Sequence, residues 1–319
     1  MKAVLFVIAC FLVAAFAASP LTESQNRFLF TAYVQKYQKT YETEDFFDKY
    51  ETFKSNLDLI IAHNAKANET YKMAVNKFAD LTTEEFGQFL GLRTEVDLEG
   101  VEVEPQVLTG EYLTASPIDW RTKGVVTGVK NQGGCGSCYA FSAISALESR
   151  HALATGRLQS LSEQQIVDCA GSYGNHGCSG GAMPNVYQYL MHHGGACSTN
   201  DYPYTARQGG CRGCSGRVGV KGYTGIAGNP NSHIDALQHG PVTTAVAASS
   251  AAFQFYHSGV VTNCNDNKIN HGVTIVGWSG NHYIVRNSWG PGWGEGGYIN
   301  LAFGQCAVGT SGLDIFPLV

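Results

Sequence analysis

The stretch NQGGCGSCYAF, residues 131–141, sets two cysteines two residues apart in a glycine-rich turn, just ahead of an apolar run. Three chemistries use that spacing: a zinc knuckle, a redox dithiol, or a structural cysteine beside a reactive one. A four-thiolate site would pair Cys135/Cys138 with Cys211/Cys214. Compact zinc sites put about 15–20 residues between their pairs, whereas 72 intervene here. A thioredoxin-type dithiol needs its CxxC after a strand in a small βαβ unit, and nothing ahead of Asn131 has that pattern. The third reading is favoured. Residues 139–154 carry a helical pattern, with Phe141, Ile144, Leu147 and Leu153 as the expected apolar face and Gly156 as the stop. Cys138 opens it, where unsatisfied amides and the helix dipole favour a thiolate. Cys135, in the turn, is placed to be bridged elsewhere.

The rest of the chain agrees. Lys2, the apolar stretch 3–16 and the small residues around Ala15 and Ala17 make residues 1–17 a cleaved export signal. No later stretch supplies the roughly 20 apolar residues of a membrane span, so a soluble product is expected. Cys10 leaves with the signal, and the other nine cysteines lie between Cys135 and Cys306. In an oxidising compartment they should pair, and an odd number leaves one thiol free.

Charge divides the chain. Residues 19–113 hold 9 Lys+Arg against 17 Asp+Glu, a net of −8; residues 114–319 hold 11 against 9, a net of +2. Neither part has the basic density of a nucleic-acid binder. The acidic front is expected to dock on the rear, with ionised carboxylates holding it down near neutral pH.

Hydrophobic periodicity makes 24–64 helical, through Phe30, Tyr33, Tyr37 and Tyr41 and then Phe46, Tyr50, Phe53, Leu57, Ile60 and Ile61. Residues 91–111 are polar and acidic, a linker composition. Residues 162–169 and 183–191 are shorter helical candidates, and 242–247, 272–278, 282–286 and 298–303 are strand-like stretches separated by Gly, Asn and Ser. Helices first and strands later indicate an α+β body of two lobes.

The segment Gln132…Cys135-Gly136-Ser137-Cys138-Tyr139 resembles the active-site segment of papain/cathepsin cysteine proteases, which place a His and an Asn about 130–150 residues downstream. "NHGV" supplies His271 and "RNSWG" supplies Asn287. "DWR" (119–121), "GCSGG" (177–181), "YPY" (202–204) and "NSWGPGWGEGGY" (287–298) extend the likeness over essentially all of 114–319. Asp45, Lys49, Phe53, Asn56, Ile60 and Asn64, followed by Ala74, Asn76, Phe78 and Asp80, resemble the two motifs of cathepsin L-type propeptides. Tyr139 departs from the family's usual Trp but keeps an aromatic ring.

The resemblance implies a papain-like fold, with a helical left lobe and a barrel-like antiparallel right lobe, behind an inhibitory propeptide spanning 18–113. It makes 114–319 the mature peptidase, with Cys138 as nucleophile, His271 as its partner and Asn287 as the group orienting the imidazole. Gln132 would complete the oxyanion hole. Gly180, Gly181, Ala182, Met183, Ala245, Ile269, Asn270, Gly272 and Trp289 would line the substrate cleft. Ser311, Leu313 and Asp314 all remain candidates for the base of its specificity pocket. It also implies disulfides Cys135–Cys178 and Cys264–Cys306. Cys169 would pair with Cys211 or Cys214, and Cys197 with the other.

No metal or cofactor is implied. Expected partners are protein and peptide substrates, the chain's own propeptide and cystatin-type inhibitors, with no nucleic acid and no membrane. The expected state is a monomer of the secretory pathway, in a lysosome- or vacuole-type compartment or secreted. His192-His193 recur in exopeptidase relatives of cathepsin B type, but the short stretch between Gly181 and Tyr202 has no room for their loop, so endopeptidase action is expected. The competing class is a non-catalytic binding or storage protein, against which the intact Gln/Cys/His/Asn set argues. The glycosylation sequon at Asn68 lies in the part to be removed.

Overall fold

The computed structural model describes residues 20–96 and 115–319, apart from 216 and 265; the export signal and the 113/114 boundary lie outside the described residues. In the front part, a Thr22–Gln25 capping box starts helix α1 (Glu23–Tyr37), and Gln38 in the left-handed region ends it. Helix α2 (Phe46–Asn64) follows. The pattern of 24–64 is thus two helices, and Tyr41 stacks on Phe30 from the loop between them. Phe30 and Tyr33 of α1 pack on Tyr50 and Phe53 of α2, with ring centroids 4.9–5.3 Å apart. Strand β1 (Tyr71–Met73) and helix α3 (Thr83–Gly87) complete this part.

Its carboxylates are used internally. Asp80 is buried and accepts from Tyr33 Oη (2.5 Å), Lys39 Nζ (2.7 Å) and Tyr41 Oη (2.9 Å). Glu85 pairs with Lys49 of α2.

In the body, helix α4 (Cys138–Thr155) is buried on nearly every side. The single apolar face expected from its sequence is therefore too narrow, and Leu153, placed on that face, is 39% exposed. Helices α5 (Glu163–Cys169) and α6 (Met183–His192) share its lobe. Helices α7 (Pro230–Gln238) and α8 (Ala251–Gln254) lie in the later half.

Strands β2 (Ile118–Asp119), β3 (Ala196–Cys197), β4 (Arg217–Val218), β5 (Gly222–Gly225), β6 (Val242–Val246) and β7 (Tyr256–Val261) come next in chain order. Then follow β8 (His271–Ser279), β9 (His282–Arg286), β10 (Tyr298–Ala302) and β11 (Ile315–Leu318). The main sheet runs β1-β7-β10-β9-β8-β6-β11-β5, with β2 on β8; among these, only the β10/β7 pair is parallel. Strand β1 of the front part is therefore one edge of the body's sheet.

The two lobes meet where α4 crosses β8. Ser142 Oγ donates to the Val273 carbonyl (2.6 Å) and Thr274 Oγ1 donates to the Ser142 carbonyl (3.2 Å). Disulfides join Cys135–Cys178, Cys169–Cys211, Cys197–Cys214 and Cys264–Cys306. Neither CxxC pair closes on itself: Cys211 and Cys214 take different partners, and Cys138 is the unpaired cysteine among the described residues.

Candidate active site

Cys138 is the first residue of α4, and the side of that turn is set by its neighbour. Tyr139 is buried and donates its hydroxyl to the Gly177 carbonyl (2.9 Å). Its ring leaves no space beside Gly181, where a Cβ would fall 2.8 Å from Tyr139 Cε2 and 2.3 Å from Asn175 Oδ1. Asn175 Oδ1 in turn accepts the Ala182 N–H (2.9 Å), which anchors the start of α6 and buries Ala182.

His271 begins β8 opposite Val246 of β6, and the next residue, Gly272, lies against the start of α4. His271 Nε2 is 2.8 Å from Asn287 Oδ1. That oxygen also accepts the Ser288 N–H (2.7 Å), so it is an acceptor and Nε2 carries the ring proton. Nδ1 is buried without a partner; its lone pair is the ring's free base. Trp289 stacks on the imidazole at 4.7 Å and closes it from solvent.

Gln132 is held by Ser288, whose hydroxyl donates to Gln132 Oε1 (2.6 Å). Gln132 Nε2 is thereby aimed at the Cys135 and Phe89 carbonyls, both at 3.0 Å. The sequence reading missed Ser288. The signal was available, since it sits between Asn287 and Trp289 in "NSWG".

A peptide from the chain's own front part fills the cleft. Gly181 N–H donates to the Gly91 carbonyl (2.9 Å), Arg93 N–H to the Gly181 carbonyl (2.8 Å) and Leu92 N–H to the Asn270 carbonyl (3.1 Å). Arg93 also donates through its guanidinium to the Ser179 carbonyl, beside Gly180. Leu92, 8% exposed, joins an apolar cluster with Met183, Ala245 and Leu313, and Ile269 packs at its margin. Gly91 allows the approach, because a Cβ there would lie 2.0 Å from the Gly136 carbonyl oxygen.

This corrects the linker reading for residues 91–96. Backbone hydrogen bonds do not depend on side chains, so polar composition does not report them. Asp314 is fully buried and meets His233, while Leu313 belongs to the same apolar cluster as Leu92.

Burial dominates the titration of both candidate reactive groups. It pushes the Cys138 thiol up to about 11, against smaller opposing effects of the Gly272, Gly91 and Tyr139 amides. It pushes His271 down to about 4, opposed by the Asn287 hydrogen bond. With the cleft filled, burial favours a neutral thiol and a neutral imidazole. Burial in this covered form opposes the lowering of the thiol pKa expected from the helix start.

The front part also covers Trp289, whose ring meets Phe78 and Phe86 edge-on at 5.2 and 5.3 Å. Asn76 Nδ2 donates to the Gln254 carbonyl (2.7 Å), and Gln254 Nε2 donates to the Phe78 and Leu81 carbonyls (3.1 Å each). Among the described residues no ion pair joins the front part to the body. Glu69 and Lys77 meet the amides of Asn263 and Asn131 instead. The described contacts between the front part and the body are thus apolar, backbone and amide contacts, while Asp80 and Glu85 take their cations from within the front part.

A buried unpaired thiol, an Asn-oriented imidazole and a cleft covered by the chain's own peptide fit a cysteine endopeptidase made as a zymogen. Residues 114–314 match the family model for papain family cysteine proteases, and residues 30–86 match that for the cathepsin propeptide inhibitor domain (I29). The chain belongs to the papain family.

It is 37% identical to the cathepsin L-like peptidase of Aedes aegypti, over 99% of each chain. It is 36% identical to cysteine proteinase 2 of Dictyostelium discoideum, over 88% of each. Among solved structures, digestive procathepsin L 3 of the Tenebrio molitor larval midgut superposes with a TM-score of 0.80 at 35% identity, covering 92% of this chain and 99% of that one. The proform of Amb a 11, a ragweed pollen allergen, superposes with a TM-score of 0.82 at 32% identity, covering 93% and 95%.

Proposed function

We propose that Cys138 is the nucleophile of this zymogen's endopeptidase activity, with His271 as general base and acid, Asn287 as its orienting group and Gln132 as an oxyanion donor. The observation that carries the assignment is the unpaired thiol at the start of α4, against which Gly272 packs, next in the chain to the Asn287-oriented His271. Once the front part leaves, the Sγ proton passes to His271 Nδ1 and sulfur attacks the substrate carbonyl. The resulting oxyanion accepts from Gln132 Nε2 and the Cys138 N–H. His271 returns the proton to the departing amine. Water, deprotonated by His271, then hydrolyses the thioester and regenerates the thiol.

Latency has a geometric basis. In a substrate held by the residue two positions before the scissile bond, the reacting carbonyl lies one residue C-terminal to the pocket residue. Here the carbonyl at Gln132 belongs to Phe89, three residues N-terminal to Leu92. The bound peptide runs the wrong way for cleavage, and its Leu92–Gly181 bridge is parallel.

Leu92 also indicates the substrate class: peptides with a large apolar side chain two positions before the cut. The mature enzyme begins near residue 114 and works in the secretory pathway. Four disulfides support that compartment.

The test is to treat the full-length precursor with acid and then with a thiol-directed epoxide, and to map the label. We expect one equivalent on Cys138 and complete loss of peptidase activity. A Cys138→Ala precursor should neither mature nor cleave. Label on Cys135, or an inert product that retains a free Cys138, would overturn the assignment.

A further inference from the structure

Asp314 and His233 form a buried pair that neither catalysis nor propeptide docking uses. Both side chains are fully buried. His233 comes from α7, and Asp314 immediately precedes β11. Asp314 Oδ1 accepts the Ala245 N–H (3.1 Å) and the Ser311 hydroxyl (2.8 Å), and Oδ2 lies 3.1 Å from His233 Nε2. The other ring nitrogen, Nδ1, lies 2.9 Å from the Asn229 carbonyl. A carbonyl only accepts, so Nδ1 carries a proton. The Nε2–carboxylate contact then needs a further proton, on the ring or on the carboxyl. In either arrangement the pair carries no net charge.

The pair is tied to the apolar cluster that holds Leu92 through Ala245. Ala245, whose N–H Asp314 accepts, shares the apolar cluster with Leu92, Met183 and Leu313. Leu313 and Ile315 face that cluster, while Asp314, between them, turns back to α7. Without a cation behind it, a carboxylate at this position would be a buried unpaired charge. Its simplest relief would be to rotate toward the cleft and meet a basic substrate side chain. The turn that carries it could follow, since Gly312 stands in open space.

We propose that His233 is a specificity-determining positioning residue. As the buried partner of Asp314, it withdraws that carboxylate from the substrate pocket and keeps the pocket selective for an apolar side chain over arginine. The inference rests on the proposed reading that the Leu92 pocket receives the substrate residue two positions before the cut.

The experiment compares matured wild type, His233→Leu and His233→Gln on a peptide series that varies only that substrate position. Wild type should prefer Leu to Arg. In both variants the Arg:Leu ratio of kcat/KM should rise at least about tenfold, equivalent to about 1.4 kcal/mol. Simple destabilisation would lower both substrates alike and leave the ratio unmoved. His233→Gln keeps a hydrogen bond to Asp314, so the comparison survives if the Leu variant does not fold. The double variant His233→Leu/Asp314→Leu should show no gain on Arg. A wild type that prefers Arg, or single variants with the wild-type ratio, would overturn this inference alone. A wild type inert on every peptide would overturn the proposed function and this inference with it.

Discussion

Replacing Leu92 by Ala isolates the side chain that fills the cleft. The three backbone hydrogen bonds of residues 91–93 do not involve it and should persist. Leu92 is 8% exposed within the Met183–Ala245–Leu313 cluster. Buried Leu→Ala changes cost about 2–5 kcal/mol in closed cores. A cleft that water can refill belongs at the low end, about 2 kcal/mol, which is roughly thirtyfold in the equilibrium between covered and open cleft. Since alkylation of Cys138 requires the covering peptide to lift, the assay is the iodoacetamide labelling rate of the full precursor at neutral pH, read by intact mass. Leu92→Ala should label roughly thirtyfold faster and Leu92→Ile within about threefold of wild type, because a volume-conserving swap costs little. A folded Leu92→Ala precursor labelling within about twofold of wild type would refute the reasoning and place closure elsewhere.

Three further outcomes follow from the same geometry. Raising salt from about 0.05 to 0.5 M, which shortens the screening length severalfold, should change the labelling rate of the wild-type precursor by less than about threefold; a tenfold rise would mean that charge holds the front part down. Ser288→Ala should lower kcat about five- to tenfold with KM nearly unchanged, since it costs about 1 kcal/mol of hydrogen bonding that fixes a donor needed only as the oxyanion forms; an unchanged kcat would remove Ser288 from that role. His271 is held down to about 4 by burial in the covered cleft. Docking stability from this group is therefore complete above the ordinary imidazole value of about 6.5 and is lost as pH falls toward 4. In a Cys138→Ala precursor, amide-exchange protection of residues 89–93, corrected for intrinsic rates, should fall across that window. Persistence of the same fall in Cys138→Ala/His271→Ala would show that another group is responsible.

What the sequence made legible depended on whether a signal was local. Helices α4, α5 and α6 were legible because caps and apolar spacing act within a few residues, and β8, β9 and β10 because β-branched and aromatic runs there are set off by Gly, Asn and Ser. The Cys211/Cys214 ambiguity was physical: two thiols three residues apart look alike until the chain around them is placed. Strand β1 was not legible, because three residues form a strand only where β7 offers an edge. Ser288 gained its meaning from Gln132, 156 positions away in sequence. Asp314 stood out only as a pocket candidate, and His233, 81 positions away, gave no sign of pairing with it until α7 brought them together. The charge imbalance of the two halves did not reveal that Asp80 and Glu85 find their cations within the front part, because net charge does not locate partners.

Strand β1 has a consequence for what maturation leaves behind. In the precursor it occupies the outer side of β7, whose inner side pairs with β10. When the front part is cut away, β7 becomes the boundary of the sheet, with backbone donors and acceptors facing water. Exposed edges of this kind recruit strands from other chains. The front part is made first and leaves last, so for the whole period in which the sheet is being assembled the most adhesive rim of the molecule is occupied by a segment of its own chain. Cells that make this enzyme therefore need protection against self-association of the sheet only after the protease has become active, when neighbouring unfolded chains are also its substrates.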